Sequence, residues 1–373
     1  MSGPGSRPRV LLLQHAIYPY RRPVFEELAR SLDLTVLFCV RSKAFRRWET
    51  ADMLESTAFR ARVLPHLRAG PIVVNRGLLG ELRRGRFDAV VVGVIDLITL
   101  PQVLVLLVAA AVRRTPVVVC EEFFPTSWYL RSRPVVARVA LAVRRFVYRR
   151  AAAFATWNPK ASAYLAECGV PPDRVFSGPH FYPVEQPATN SGLQAGPGTR
   201  ELVSISYLLP RKGLDVLIRA FRAVEGDAAL VIAGSGEHER ALRATAEGDG
   251  RIRFVGHVDG ARKAELLAGA YALVLPTLWD PWGLVVNEAL AYGVPVVVTD
   301  AAGTSACIDG AGIVVPAGDE AALAGALRRL LEDPPLRDEL ARRAPEVLAS
   351  WTLEAQCGAL EAAVRRALGG AGG

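Results

Sequence analysis

Two stretches of the 373-residue chain place charged side chains where they could act together. In the first, the apolar run Leu202–Ser206 leads through Tyr207–Pro210 to Arg211-Lys212-Gly213, and then to a helix-patterned stretch, Leu214–Ala223. Two cations and a glycine at the carboxyl end of a strand suit a diphosphate, although an Arg-Lys pair more often lies solvated on a surface. In the second stretch, Tyr271–Asp300, a strand ends at Pro276, a loop carries Asp280, and Gly283 opens a helix bearing Glu288. A helix start offers backbone N–H groups to phosphate oxygens. Asp280 and Glu288, eight positions apart, could accept hydrogen bonds from ligand hydroxyls. The same spacing also fits a solvated turn aspartate and a helical glutamate paired with an arginine.

Other chemistries find less support. No two aspartates are separated by a single residue, so the Asp-x-Asp metal clamp of many sugar-nucleotide enzymes is missing, and the five histidines lack zinc spacing. Gly234-Ser-Gly236 after a strand is only a partial dinucleotide fingerprint, without its third glycine. Five widely spaced cysteines with no Cys-x-x-Cys fit a reducing compartment, with Cys39 and Cys120 as core thiols. No signal peptide is visible. Leu97–Val112, broken by Pro101 and Gln102, falls short of the roughly 20 residues that span a bilayer and is expected as a buried crossover helix.

These residues need elements to hold them. Short β-branched runs alternate with helical stretches along the chain: Val10–Gln14, Leu34–Val40, Ala89–Ile95, Pro116–Cys120 and Ala153–Trp157 in the first half. The second half carries Leu202–Ser206, Ala229–Ala233, Ile252–Gly256, Ala272–Pro276, Val294–Thr299 and Gly312–Val315. Such alternation predicts an α/β protein of two facing Rossmann-like, doubly wound domains, with ligands in the cleft between them. Residues 1–183 are expected as an N-terminal domain, 184–199 as a Pro/Gly-rich linker and 200–350 as a C-terminal domain. Residues 351–373 are expected as a helix packing back towards the N-terminal domain, with a flexible tail.

Charge divides near the same boundary. The net +8 is +13 over residues 1–185 and −5 over residues 186–373, which argues against a uniform polycation and gives one half an anionic partner. Only four of the 45 basic residues are lysines.

Leu209–Phe221 (LPRKGLDVLIRAF), Val231–Glu237 (VIAGSGE), Ile252–Val258 (IRFVGHV) and the 271–300 segment resemble, in order and interval, the retaining GT-B glycosyltransferases of family 4. Tyr20–Glu26 and Ala161–Phe176 are looser matches to the same family. The resemblance implies a GT-B fold and a nucleotide-sugar donor, with neither cofactor nor metal. It implies that Arg211 and Lys212 hold the donor diphosphate, that Glu288 binds the ribose, and that Asp280 contacts sugar hydroxyls. Gly283, Leu284 and Val285 would bring amides to phosphates and sugar. Gly234, Gly236 and Glu237 would line the nucleotide side, with Val255, His257 and Val258 near the base. Two departures stand out: Asp280 is a methylene shorter than the family's usual glutamate, and Gln14–Tyr20 replaces its Gly-Gly loop.

On the acceptor side, the candidates are His15, Tyr20, Arg21, Arg22, Glu121 and Glu122, with salt bridges to local arginines an equal expectation for the two glutamates. Arg131, Arg133, Arg138, Arg144, Arg145, Arg149 and Arg150 lie among apolar residues and read equally as a solvated face or as a helix suited to an anionic membrane surface. The expected activity is therefore retaining glycosyl transfer from a nucleotide diphosphate sugar to a hydroxyl acceptor. The acceptor would be a lipid-linked or cell-surface saccharide precursor, and the enzyme cytoplasmic or peripheral on the inner membrane face. A secondary-metabolite or aminocyclitol acceptor, a sugar-nucleotide epimerase or phosphorylase, and a non-catalytic binding protein are the alternatives. No nucleic-acid partner is expected, because the binding motifs lie in the acidic half.

Overall fold

The computed structural model describes residues 6–41, 54–69, 72–93, 95–96, 98–132, 134–184 and 200–370. Nearly all of the expected linker, from 185 to 199, lies outside the described residues, as do Leu97, Arg133 and the last three glycine-rich positions. The chain forms two compact units. The first comprises residues 1–123, 134–183 and 351–373, and the second 124–133 and 184–350.

Unit 1 is built on a seven-stranded parallel sheet. Its strands are β1 (Arg9–Ala16), β2 (Asp33–Val40) and β3 (Arg60–Val63), then, beyond the antiparallel hairpin β4 (His66–Ala69) and β5 (Ile72–Asn75), β6 (Ala89–Val92), β7 (Val117–Glu121), β8 (Ala153–Thr156) and β9 (Val175–Ser177). The spatial order is β3-β2-β1-β6-β7-β8-β9. The inner strands are apolar on both faces because helices cover both sides of a parallel sheet. Helices Arg22–Ser31 and Leu353–Gly369 close one face, contributing Phe25, Leu28, Leu360, Ala363 and Val364 to a core with Leu12, Val36, Val91 and Val118. Cys39, Cys120 and Cys357 are buried, and burial pushes their thiols up to about 12, away from the reactive thiolate.

Unit 2 carries β10 (Glu201–Ile205), β11 (Ala229–Ala233), β12 (Ile252–Gly256), β13 (Ala272–Leu275), β14 (Val296–Thr299) and β15 (Gly312–Val315), in the parallel order β12-β11-β10-β13-β14-β15. Helix Leu214–Arg222 and helix Glu320–Glu332 bury Leu217, Phe221, Leu323 and Leu327 against this sheet. In both sheets the order of strand addition reverses once: between β1 and β6 in unit 1, and between β10 and β13 in unit 2. Ligands of open α/β sheets bind at the carboxyl ends of strands at such a reversal.

Three departures from the sequence reading have physical causes. β3 (RARV) is short and charged, and the two four-residue strands of the 66–75 hairpin are too short to show as apolar runs. Residues Phe124–Arg133 join unit 2 instead of the N-terminal domain, because the Trp279 indole donates to the Phe124 carbonyl at 2.9 Å and the Thr126 hydroxyl to the Leu278 carbonyl at 3.1 Å. Helix Leu100–Arg113, expected to be buried, leaves Val108 66% and Val112 80% exposed.

Candidate active site

The reversal in unit 2 gathers the first set of candidates. β10 runs into a single 3₁₀ turn, Pro210–Lys212, and Gly213 then starts helix Leu214–Arg222. Gly213 has φ +63, and a Cβ there would stand 2.1 Å from the Pro276 carbonyl oxygen, so the turn can lie against the end of β13 only with glycine. The Leu278 amide donates to the Arg211 carbonyl at 2.8 Å and the Thr277 hydroxyl to the same oxygen at 3.1 Å. The two loops are thereby locked, and their side chains converge.

Lys212 Nζ donates to Asp280 Oδ2 at 2.5 Å, and Arg211 Nη1 stands 3.9 Å from that oxygen while donating to the Trp279 carbonyl at 3.0 Å. Burial alone would raise the Asp280 carboxyl, but Lys212 and Arg211 outweigh it and hold the group below the ordinary carboxylate range. Asp280 is clamped from behind: its amide donates to Ala301 at 3.0 Å and its carbonyl accepts from Gly303 at 3.0 Å. The sequence separates Arg211 and Lys212 from Asp280 by nearly 70 residues, and the fold makes them one cluster of two cations around one carboxylate.

Gly283, at φ +101, is the N-cap of helix Leu284–Ala291. The Leu284 and Val285 amides begin that helix and have no carbonyl one turn back to bond, so the helix start could hold an anion. Trp282, 3% exposed, fixes the entry through its indole bond to Asn287 Oδ1 at 2.7 Å. Glu288 lies one turn in, bonded to Lys263 on helix Gly260–Ala268. Lys263 was missed from the sequence. The signal was its rarity: in a chain with four lysines, two are the partners of the two candidate carboxylates.

The nucleotide-side candidates divide. Gly234 and Gly236 serve close backbone packing, since a Cβ at either would stand 1.8 Å from Ser206 O or 2.3 Å from Leu208 O. Glu237 is exposed. Val258 is buried, Val255 half-buried, and His257 is exposed beside Asp259, 3.6 Å away.

In unit 1 the reversal between β1 and β6 brings His15, near the end of β1, to Asp96, just beyond β6, with Nδ1 to Oδ2 at 2.5 Å. His15 is 2% exposed and its Nε2 has no protein partner. The Asp96 carboxylate on Nδ1 holds the imidazole in one orientation. Asp96 was not picked from the sequence, although its place after a strand marked it.

Near this pair, Arg21 Nη2 donates to Glu122 Oε1 at 2.7 Å, and His180 Nε2 stands 3.9 Å from that oxygen. Burial lowers His180 to about 4, against the opposing pull of Glu122, so the ring is neutral. Tyr20 packs against Tyr182 and His180, with ring centroids 5.4 and 6.5 Å away.

Two acceptor-side candidates stand elsewhere. Glu121, 3% exposed, points into the core: it accepts from Arg144 at 2.9 Å, Tyr148 at 2.5 Å and the Phe123 amide at 2.9 Å. Burial and the Glu121 charge push the Tyr148 hydroxyl up, keeping it a donor. Strand alternation is the cause, since Glu121 and Glu122 project to opposite faces. Arg144 is likewise internal and not part of any surface. Arg22 bonds Glu26 one turn along its own helix at 2.7 Å.

Comparison with known proteins gives the class of the fold. Residues 199–333 match the family model described as glycosyl transferases group 1. A phosphatidyl-myo-inositol mannosyltransferase of Mycobacterium leprae is 39% identical over 152 residues, covering 39% of this chain and 40% of that protein. A glycogen synthase of Mycobacterium tuberculosis is 36% identical over 168 residues, covering 41% and 39%. The matches thus span about two fifths of these relatives' length. The crystal structure of Anabaena Alr3699/HepE in complex with UDP and glucose superposes with a TM-score of 0.74 over 96% of this chain and all of that one, at 15% identity. The fold is GT-B. Residues 199–333, which match the glycosyl transferases group 1 model, contain Arg211, Lys212, Asp280 and Glu288.

Proposed function

We propose that the chain transfers a hexose from a nucleotide diphosphate sugar to an acceptor hydroxyl with retention and without a metal. The observation that supports this most is the meeting of Arg211, Lys212 and Asp280 at the β10–β13 reversal. As the bond from the anomeric carbon to the phosphate oxygen breaks, its electron pair leaves with the diphosphate. Arg211, Lys212 and the amides of Leu284 and Val285 oppose the charge that grows there, which favours the transition state over the ground state. The acceptor oxygen bonds to the anomeric carbon on the face being vacated, and its proton passes to the departing phosphate oxygen. Glu288, held by Lys263, accepts from the ribose hydroxyls. Asp280 orients Lys212 and accepts from the sugar.

The matched family and the UDP and glucose bound to HepE support the donor class. The lipid acceptor named in the M. leprae relative and the basic first half support a lipid-linked or cell-surface saccharide acceptor, met at the inner face of the cytoplasmic membrane. The test is incubation with UDP-, GDP- and ADP-sugars, with and without saccharide acceptors, and NMR assignment of the product anomer. Transfer that requires acceptor and keeps the donor's anomeric configuration is expected. An epimerised sugar without acceptor, or an inverted product, would contradict the reading.

A further inference from the structure

One face of unit 1 is both apolar and cationic. β6, β7 and β8 are successive neighbours, so right-handed crossovers put helices Leu100–Arg113 and Pro134–Tyr148 on the same side of the sheet. Leu104, Val108 and Val112, one turn apart, are 41, 66 and 80% exposed, and Val135 and Val139 of the second helix are 70 and 59% exposed. A groove of about 640 Å³ separates the helices, lined by Leu104, Val108, Ala111 and Phe146 with Arg114 and Arg150 in its walls. The Arg150 guanidinium lies 3.6 Å over the Phe146 ring.

Residues 100–114 and 134–150 contain no Asp or Glu. Among the described residues, Arg114, Arg138, Arg145, Arg149 and Arg150 have no carboxylate within ion-pair distance. A merely solvated face would not expose this stripe of valines. A second copy docked face to face would bring like charges together. The groove also reaches Thr115–Val117 and Ala152, at the amino ends of β7 and β8, the end opposite the one at which such sheets bind small ligands.

We propose that this face seats on an anionic lipid bilayer. The Val108–Val112 stripe enters the headgroup boundary, the groove takes an acyl chain, and the surrounding arginines meet lipid phosphates. The inference rests on the membrane placement proposed above, and not on the transfer chemistry. The experiment is co-sedimentation with phosphatidylcholine vesicles and with phosphatidylcholine–phosphatidylglycerol vesicles, at two salt concentrations. The wild-type chain should bind the anionic vesicles alone and be released by salt. Val108→Glu/Val112→Glu should weaken binding at least tenfold, and Arg149→Gln/Arg150→Gln about fivefold per charge.

Both variants change exposed side chains and should keep the wild-type Tm and nucleotide-sugar response, so a failed donor response and a failed vesicle response are read separately. A chain that stays in the supernatant, glutamate variants that bind as well as wild type, or a dimer disrupted by Val108→Glu would overturn the proposal.

Discussion

Lys212 and Asp280 define the residue scale. Each is largely buried, so removing one strands the other. Lys212→Ala should cost roughly 1–3 kcal/mol of stability and about 10²–10³ in turnover. The double variant Lys212→Ala/Asp280→Ala should recover most of the stability and none of the turnover, read by calorimetry and donor turnover. Recovery of turnover would make the pair merely structural. His180 gives a separate pH signature. Its folded pKa of about 4 lies below the ordinary 6.5, so its contribution is complete above pH 6.5 and falls away as the pH drops towards 4, by about 3 kcal/mol in all. Denaturant titrations of wild type and His180→Asn should therefore diverge above pH 4 and converge towards it. Parallel curves across this range would contradict a buried neutral ring. Arg211, Lys212, Asp280 and Glu288 were legible in the sequence because motif order marks them. Lys263, Asp96 and His180 were not, because each acquires its partner only when distant strands meet.

At the scale of elements, the site depends on two loops touching through backbone. Gly213→Ala forces an L-residue to φ +63 with its Cβ 2.1 Å from a carbonyl oxygen, so the 3₁₀ turn and the end of β13 must separate. A loss of about 2–3 kcal/mol with a raised donor KM is expected. Gly248→Ala, at φ +85 with nothing within 4 Å, should cost about 1 kcal/mol and leave KM unchanged. Equal effects from the two would separate loop contact from function. Alternation of apolar runs made the parallel sheets legible, because strands covered on both faces carry a continuous signal. The outer strands β3 and β9 of unit 1 and the 66–75 hairpin, at three or four residues each, gave none. The transfer of Phe124–Arg133 to unit 2 depends on one indole and one hydroxyl bonding carbonyls across more than 150 residues, a pairing no local pattern encodes.

For the whole molecule, the division of charge acquires a physical meaning. The half with net −5 carries the proposed donor site on a few fixed cations, two of them held by carboxylates. The surplus of the other half is gathered partly on an arginine-rich apolar face, after Arg144 is withdrawn to the core by Glu121. Bulk charge is thus a guide to surfaces and a poor guide to where phosphate binds. The central claim is that the cluster at the β10–β13 reversal binds a nucleotide diphosphate sugar. Its most direct test is a thermal shift of wild type and Lys212→Ala/Asp280→Ala with UDP-, GDP- and ADP-sugars. One base class should stabilise the wild type by about 2.7 kcal/mol at a hundredfold excess over Kd and leave the double variant unmoved. No response from the wild type to any of the three, or an equal response from the double variant, would contradict it.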